Sequence, residues 1–341
     1  MAEYEILIVN LEGYGKGGLG TLAYDLHDLL VSEGIPSLLV ASGNPRGLPN
    51  VSLLEENRYD LVPPVVRKLS ARHRLVVGRN ELAALSPYLD DLVLITGGTA
   101  YLQEWLKAHP RKTALDFLRS RDRPGSLVSP RIAREKLALD RATRILSAPG
   151  LNSRILSKAY PAFAHKIFEV PQIFRRLRPK NPWGARTIDL IAVAQWKDRG
   201  VDRDVKGYDL LVGILELLRG RNLRVVVVGE VPFHVQGAVH TGWIDHSATL
   251  ELMGKAKVFV SPSRNECYSQ AVVEALQLGC NVVLSRNVEP HGFCHPHLVA
   301  RYDPESFSSK IEKALLRRFP SRPMPSPKDS LDLLMSVIDT R

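Results

Sequence analysis

Ser261-Pro262-Ser263-Arg264-Asn265-Glu266-Cys267-Tyr268-Ser269-Gln270-Ala271-Val272-Val273-Glu274-Ala275-Leu276 is the stretch on which the fold turns. The residues leading into it, Lys257 to Ser261, predict a buried strand. A polar loop then carries Glu266, and a helix is predicted from Ser269 to Leu278, where Gly279 stops it. Strand, polar loop and helix in that order build one layer of a parallel α/β sheet. The helix start leaves N–H groups without helical acceptors, an anion site suited to a diphosphate. Glu274 lies about a turn and a half into that helix. It can reach a ribose hydroxyl pair, because an ionised carboxylate accepts two hydrogen bonds. Glu266, ahead of the helix, would face a sugar beyond the phosphates. Either glutamate alone would pass for a solvated side chain; two of them flanking a helix start point to a ligand.

The same rhythm extends in both directions. Downstream, Asn281 to Ser285 predicts a strand; upstream, Ile188 to Ala194 and Val225 to Val228 predict two more, with a helix at Tyr208 to Leu218. The first half opens on Glu5 to Val9, a short apolar run typical of a buried parallel strand. A glycine-rich turn, Gly13 to Gly20, leads into an amphipathic helix from Thr21 to Glu33, with Leu22, Leu26, Leu29 and Leu30 on one face and Gly34 as its stop. Ser37 to Ala41, Leu75 to Val77, Leu92 to Ile95 and Arg144 to Ser147 continue the alternation. Between the halves, Arg175 to Gly184 holds two prolines, a glycine and four basic residues without periodicity, as a linker does. The expected domains are residues 1–176, a linker 177–185, residues 186–322, and a C-terminal segment 323–341. In that last segment a helix at Leu331 to Ile338 crosses back to the first domain. The fold class is α/β, two doubly wound halves.

The bulk numbers agree with two soluble domains: 341 residues, 45% hydrophobic and 24% charged. No apolar run reaches the roughly 20 residues of a spanning helix, and Met1 to Asn10 has no basic leader, so it is expected to be a strand. Cys267, Cys280 and Cys294 lack C-x-x-C spacing, and buried reduced thiols in a cytoplasmic protein are expected. The formal charge of +10 draws anionic partners. Without aromatic residues interleaved among the basic ones, nucleic acid ranks below the anionic surface of a membrane, with a solvated basic face ahead of both. Neither a Gly-x-Ser-x-Gly elbow nor a Walker loop is present. Asp202-Arg203-Asp204 is expected to be a solvated loop, and for His291, His295 and His297 near Cys294 metal binding ranks well below loop or acceptor-facing roles.

The spacing of Glu266 and Glu274, the preceding Pro-Ser, and the following Glu-Ala-Leu-x-x-Gly-x-x-Val-Val resemble the donor-site motif of retaining glycosyltransferases of family 4. Those enzymes have the GT-B fold, two Rossmann-like domains facing a central cleft. Gly17-Gly18 with the following helix is similar to the family's N-terminal Gly-Gly loop. Lys206-Gly207-Tyr208-Asp209-Leu210-Leu211 is similar to its Lys-Gly-x-x-x-Leu segment, and Gly242-Trp243-Ile244 to the turn that borders the base.

The resemblance implies a retaining, hexosyl-type transferase that moves sugar from a nucleoside diphosphate sugar to a hydroxyl of a glycan, lipid or other acceptor. It implies no required cofactor and no metal. Glu266 and Lys206 would be the catalytic pair, Lys206 neutralising the leaving diphosphate and Glu266 holding hydroxyls near the anomeric carbon. Gly17, Gly18, Tyr268, Ser269 and Gln270 would contact phosphate or sugar, Trp243 and Ile244 the base, and Glu274 the ribose. Where the family carries an arginine, this chain has Gln195, with Lys197, Arg199 and Arg203 as substitute cations nearby; where it carries an acceptor-side histidine, the matching place holds Asp116. The competing readings are a non-catalytic sugar-nucleotide-binding protein, a glycosyltransferase acting on nucleic acid, and a nicotinamide-dependent enzyme on Gly13, Gly15 and Gly18. The last lacks the acidic residue expected near position 40.

Overall fold

The computed structural model describes residues 3–11, 18–54, 59–78, 82, 84–85, 87–89, 91–97, 99–109, 112–123, 125–194, 196, 205–266 and 268–340. The chain divides into two compact units, Met1–Arg175 with Pro325–Arg341, and Arg176–Met324.

The first unit runs β1 (Tyr4–Asn10), α1 (Gly18–Ser32), β2 (Ser37–Ala41), β3 (Val51–Leu53), α2 (Val62–Val66), β4 (Ala71–Val77) and β5 (Leu92–Thr96). It continues through α3 (Ala100–Ala108), α4 (Ala114–Arg119), α5 (Pro130–Arg141), β6 (Arg144–Ser147), α6 (Leu151–Ala159) and β7 (Ile167–Glu169). The seven strands form one parallel sheet in the order β3-β2-β1-β4-β5-β6-β7. Ile6, Leu7, Ile8 and Val9 of β1 have no exposed surface, as a strand covered on both faces requires. α1 stops where Gly34 adopts φ +75°, and the Ile35 N–H returns to the Leu30 carbonyl at 2.9 Å. The C-terminal helix, Pro327–Asp339, belongs to this unit: Leu331, Leu334 and Ile338 complete the core around α1 and the sheet.

The second unit runs β8 (Ile188–Val193), α7 (Tyr208–Leu217), β9 (Val225–Val228), β10 (Ala238–His240), α8 (His246–Gly254), β11 (Ala256–Ser261), α9 (Gln270–Gln277), β12 (Asn281–Ser285), β13 (Val299–Ala300) and α10 (Pro304–Leu316). Its six strands are parallel in the order β10-β9-β8-β11-β12-β13. Strand alternation divides the core: Val258 and Val260 of β11 pack with α7 and α10, while Phe259 packs with α8 and α9. Arg186 is buried, and its two Nη groups donate to the Ala256 and Leu278 carbonyls at 2.6 Å each. Because all strands point the same way, the loops after β8, β9 and β11 leave from one edge of the sheet, where open α/β sheets bind ligands. Cys280 and Cys294 are buried free thiols, pushed by burial to about 11 and about 12; Cys267 lies outside the described residues.

Candidate functional site

β11 ends at Ser261, and the loop to α9 is held at both ends by backbone bonds. Glu266 donates its N–H to Asn287 at 3.0 Å, and its carbonyl accepts from Glu289 at 3.0 Å. Ser269 donates its N–H to Glu289 at 2.8 Å, while its hydroxyl accepts from Val272 N–H and caps α9. Glu266 therefore sits on a fixed backbone.

The loop after β8 meets this one. Arg264 N–H donates to the Val205 carbonyl at 2.9 Å. Gly207 takes φ +71°, and a Cβ there would lie 1.9 Å from the Pro262 carbonyl oxygen, so only glycine lets the two loops pack. That contact delivers Lys206, whose Nζ pairs with Glu266 Oε1. The pair is partly exposed, at 36% for the lysine and 19% for the glutamate, so an anion can approach the ammonium. A cation, a carboxylate and the N-terminus of α9 are thereby gathered at the strand ends of one sheet.

Glu274, further along α9, is only 12% exposed, and its Oε1 lies 2.7 Å from Nε2 of His246 on α8. Nothing in the local pattern marks that partner beyond its place directly after Gly242-Trp243-Ile244-Asp245. Gly242 itself turns the chain with φ +65°, and its carbonyl accepts the Gly229 N–H at 2.9 Å. Trp243 is 54% exposed, and Ile244 packs into the core beside α9. Gly229, Glu230, Val231, His234, His240 and Gly242 line a cavity of about 240 Å³. Within its wall the rings of His234 and His240 stack at 4.5 Å. His240 Nε2 lies 3.0 Å from the Val235 N–H and 3.3 Å from the Val235 carbonyl, and burial holds this ring's pKa below its usual value.

The other expected residues fall as follows. Tyr268 is buried, its hydroxyl meets no hydrogen-bond partner among the described residues, and burial with Glu289 nearby pushes its phenol well above the usual range. Gln270 is the first residue of α9, partly exposed, and Gly18 opens α1. Gly17, Gln195, Lys197, Arg199 and the Asp202-Arg203-Asp204 run lie outside the described residues. Asp116 closes a capping box at the start of α4, accepting from Thr113 N–H at 2.8 Å and from its hydroxyl at 2.9 Å. Sequence reasoning passed over Arg264, buried at 4% in the loop that carries Glu266; its basic charge inside the Ser-Pro-Ser-Arg-Asn-Glu run was the available signal. His291 pairs with Glu289 at 3.1 Å, whereas His295 and His297 stack edge-on with each other. Among the described residues one trio has the spacing of metal ligands: Glu5, His73 and Asp339 in the first unit. Arg72 engages both carboxylates, at 2.8 and 3.4 Å. Among the described residues no helix is long and apolar enough to cross a membrane.

Residues 199–317 match the family model described as Glycosyl transferases group 1. The match takes in Lys206, Glu266 and Glu274 together, and the glycosyltransferase resemblance seen in the sequence is borne out by it. Solved structures agree over the whole chain. Anabaena HepE in complex with UDP and glucose superposes with a TM-score of 0.67 at 12% identity, covering 99% of this chain and 100% of that one. Sucrose-phosphate synthase from Thermosynechococcus elongatus gives 0.61 at 14%, covering 98% and 94%. WaaG, a glycosyltransferase involved in lipopolysaccharide biosynthesis, gives 0.63 at 15%, covering 98% and 93%. No curated protein matches the chain. Two parallel α/β units shared with these structures make the fold GT-B, as the sequence predicted.

Proposed function

We propose that the protein is a retaining glycosyltransferase that binds a nucleoside diphosphate sugar on its second unit and transfers the sugar to an acceptor hydroxyl. The observation that carries this is the Lys206–Glu266 pair beside the capped start of α9, inside the segment that matches the group 1 transferases. The diphosphate would lie against the N-terminus of α9 and the Lys206 ammonium, which takes up charge as the glycosidic bond breaks. With the phosphate charge carried this way, no metal is required. Glu266 would hold the donor sugar's hydroxyls, Glu274 the ribose, and the turn at Gly242-Trp243-Ile244 the base. A phosphate oxygen of the donor would take the acceptor proton on the same face, giving retention. Lys206 is already held by Glu266, so the site is ordered before donor arrives and little reorganisation remains to be made.

The acceptor side draws support from the surface of the first unit. On α5 the exposed residues Arg134, Lys136 and Arg141 surround Leu137, with Asp140 the single exposed acid, and Val128 just before the helix is 90% exposed. Basic residues around apolar ones suit an anionic membrane surface, where a lipid or lipid-linked acceptor would be met.

Turnover of a panel of UDP-, GDP- and ADP-sugars tests the assignment, read as donor hydrolysis or transfer. Wild type should consume at least one donor and Glu266→Ala should lose that activity. Equal turnover by the two proteins would sink the catalytic assignment.

A further inference from the structure

His246 and Glu274 come from different elements, the first turn of α8 and the middle of α9, yet they meet at 2.7 Å with 13% and 12% of their side chains exposed. Asp245 stands at the N-cap of α8 but makes no side-chain cap bond. Ile244, seated in the core beside α9, and His246, set on Glu274, tie this helix start to α9. A glutamate in mid-helix has several staggered rotamers open to it. One imidazole N–H bonded to Oε1 selects among them, and the second oxygen keeps its capacity to accept hydrogen bonds. A carboxylate held by an outer partner in this way loses less freedom when it accepts hydroxyl protons.

We propose that His246 is the positioning residue for Glu274: it holds the carboxylate in the orientation that reads the ribose hydroxyls of the nucleoside diphosphate. The proposal rests on the donor-binding role given to the second unit above. His246 itself touches no substrate. It links the base and ribose ends of the site, because the Gly242 turn that borders the cavity at Gly229 is only three residues upstream of the Asp245–His246 step. An incorrectly seated Gly242 turn would pull His246 off Glu274, so nucleosides that fill the base region well would also be those whose ribose is gripped.

The test is calorimetric titration of UDP, GDP and ADP, each beside its 2′-deoxy counterpart. Wild type should bind at least one ribonucleotide and prefer it to the 2′-deoxy form. His246→Ala should weaken that ribonucleotide roughly tenfold, the worth of one hydrogen bond to a charged group, and leave the 2′-deoxy form nearly unchanged. His246→Gln, which puts an amide N–H near the position of Nε2, should recover most of the preference; His246→Asn, too short to reach, should not. The double variant with Glu274→Ala should bind no worse than Glu274→Ala alone, because the two act as one unit. If His246→Ala binds both forms as wild type does, or weakens both equally without rescue by Gln, the positioning role is overturned while donor binding stands. If wild type binds none of the three nucleotides, both ideas fall. His246→Asn replaces His246→Ala as the probe should the alanine variant fold poorly.

Discussion

Lys206 and Glu266 are 60 residues apart in the chain and form an ion pair at the C-terminal edge of the second sheet. The pairing is set by backbone, since the loop after β8 is pinned to the loop after β11 through Val205 and Arg264 and through the glycine contact at Pro262. An exposed pair of this kind adds little to stability, so its worth lies in presenting an ammonium at a fixed place. Lys206→Ala should therefore lower kcat by about a hundredfold, the cost of removing one preorganised charge-stabilising donor. The melting temperature should stay near that of wild type. Steady-state kinetics with the best donor decide it: unchanged kcat would remove Lys206 from the chemistry.

Gly207 and Gly220 separate strain from obstruction. Both adopt positive φ, +71° and +86°, but a Cβ at Gly220 meets nothing within 4 Å whereas one at Gly207 would lie 1.9 Å from a backbone oxygen. Gly220→Ala should cost about 1 kcal/mol, the penalty of left-handed backbone alone. Gly207→Ala must also push two loops apart, and should cost roughly 3 kcal/mol or more. Urea midpoints compare the two directly, and Gly207→Ala should also lose turnover because Lys206 moves with the loop. Equal midpoints would show that the loops separate freely.

Much of the site's scaffold was legible in the sequence because its elements are punctuated. Ser269 caps and Gly279 stops α9, so the predicted span Ser269 to Leu278 differs from the observed Gln270–Gln277 by one residue at each end. β9 and β12 coincide with their predicted spans, both fully buried, β9 all valine and β12 apolar between Asn281 and Ser285. β3, β7, β10 and β13 escaped because strands of two or three residues carry no periodicity. α5 escaped because a glutamate occupies its core-facing side. Tyr268 was expected to meet phosphate or sugar, yet its side chain is buried. The His246–Glu274 contact joins two helices whose packing no local pattern encodes.

Glu135 on α5 is 1% exposed, and its carboxylate terminates another helix. Oε1 accepts the Ala100 N–H at 2.9 Å; Oε2 accepts the Thr99 hydroxyl at 2.6 Å, the Tyr101 N–H at 3.2 Å and the Tyr160 hydroxyl. A negative group on the open N–H groups of α3 is favoured by the helix dipole as well. Glu135→Gln turns one accepting oxygen into an N–H₂ facing donors, and should destabilise the first unit by roughly 2–3 kcal/mol. The neighbour Glu104, half-buried and paired with Lys107 and Arg131 at the surface, changed to Gln, should fall within about 1 kcal/mol. Denaturant unfolding followed by the fluorescence of Trp105, in the same unit, reports both. An unchanged midpoint for Glu135→Gln would mean the network contributes nothing net.

His27, fully buried on α1, sets the acid limit of the first unit. Its Nε2 lies 2.7 Å from the Pro49 carbonyl, which only accepts, so Nε2 carries the proton and Nδ1 accepts from the Ser37 hydroxyl at 3.0 Å. The neutral ring is satisfied at both nitrogens, and a second proton has no partner waiting. Burial, the largest influence, holds the pKa below its ordinary value of 6.5; Arg46 lowers it further, while the Pro49 carbonyl and Asp28 oppose. With the folded value below the unfolded one, the unfolded chain binds more protons between them, and stability rises with pH across that window. The contribution is complete above about pH 6.5 and is lost as pH falls toward the folded value. His240 in the second unit shifts in the same direction, so the comparison must be made against a variant. His27→Gln keeps an N–H for Pro49 but cannot be protonated, and its melting temperature should fall less steeply than that of wild type between about pH 7 and about pH 5. Parallel slopes for the two proteins would show that His27 does not couple folding to pH.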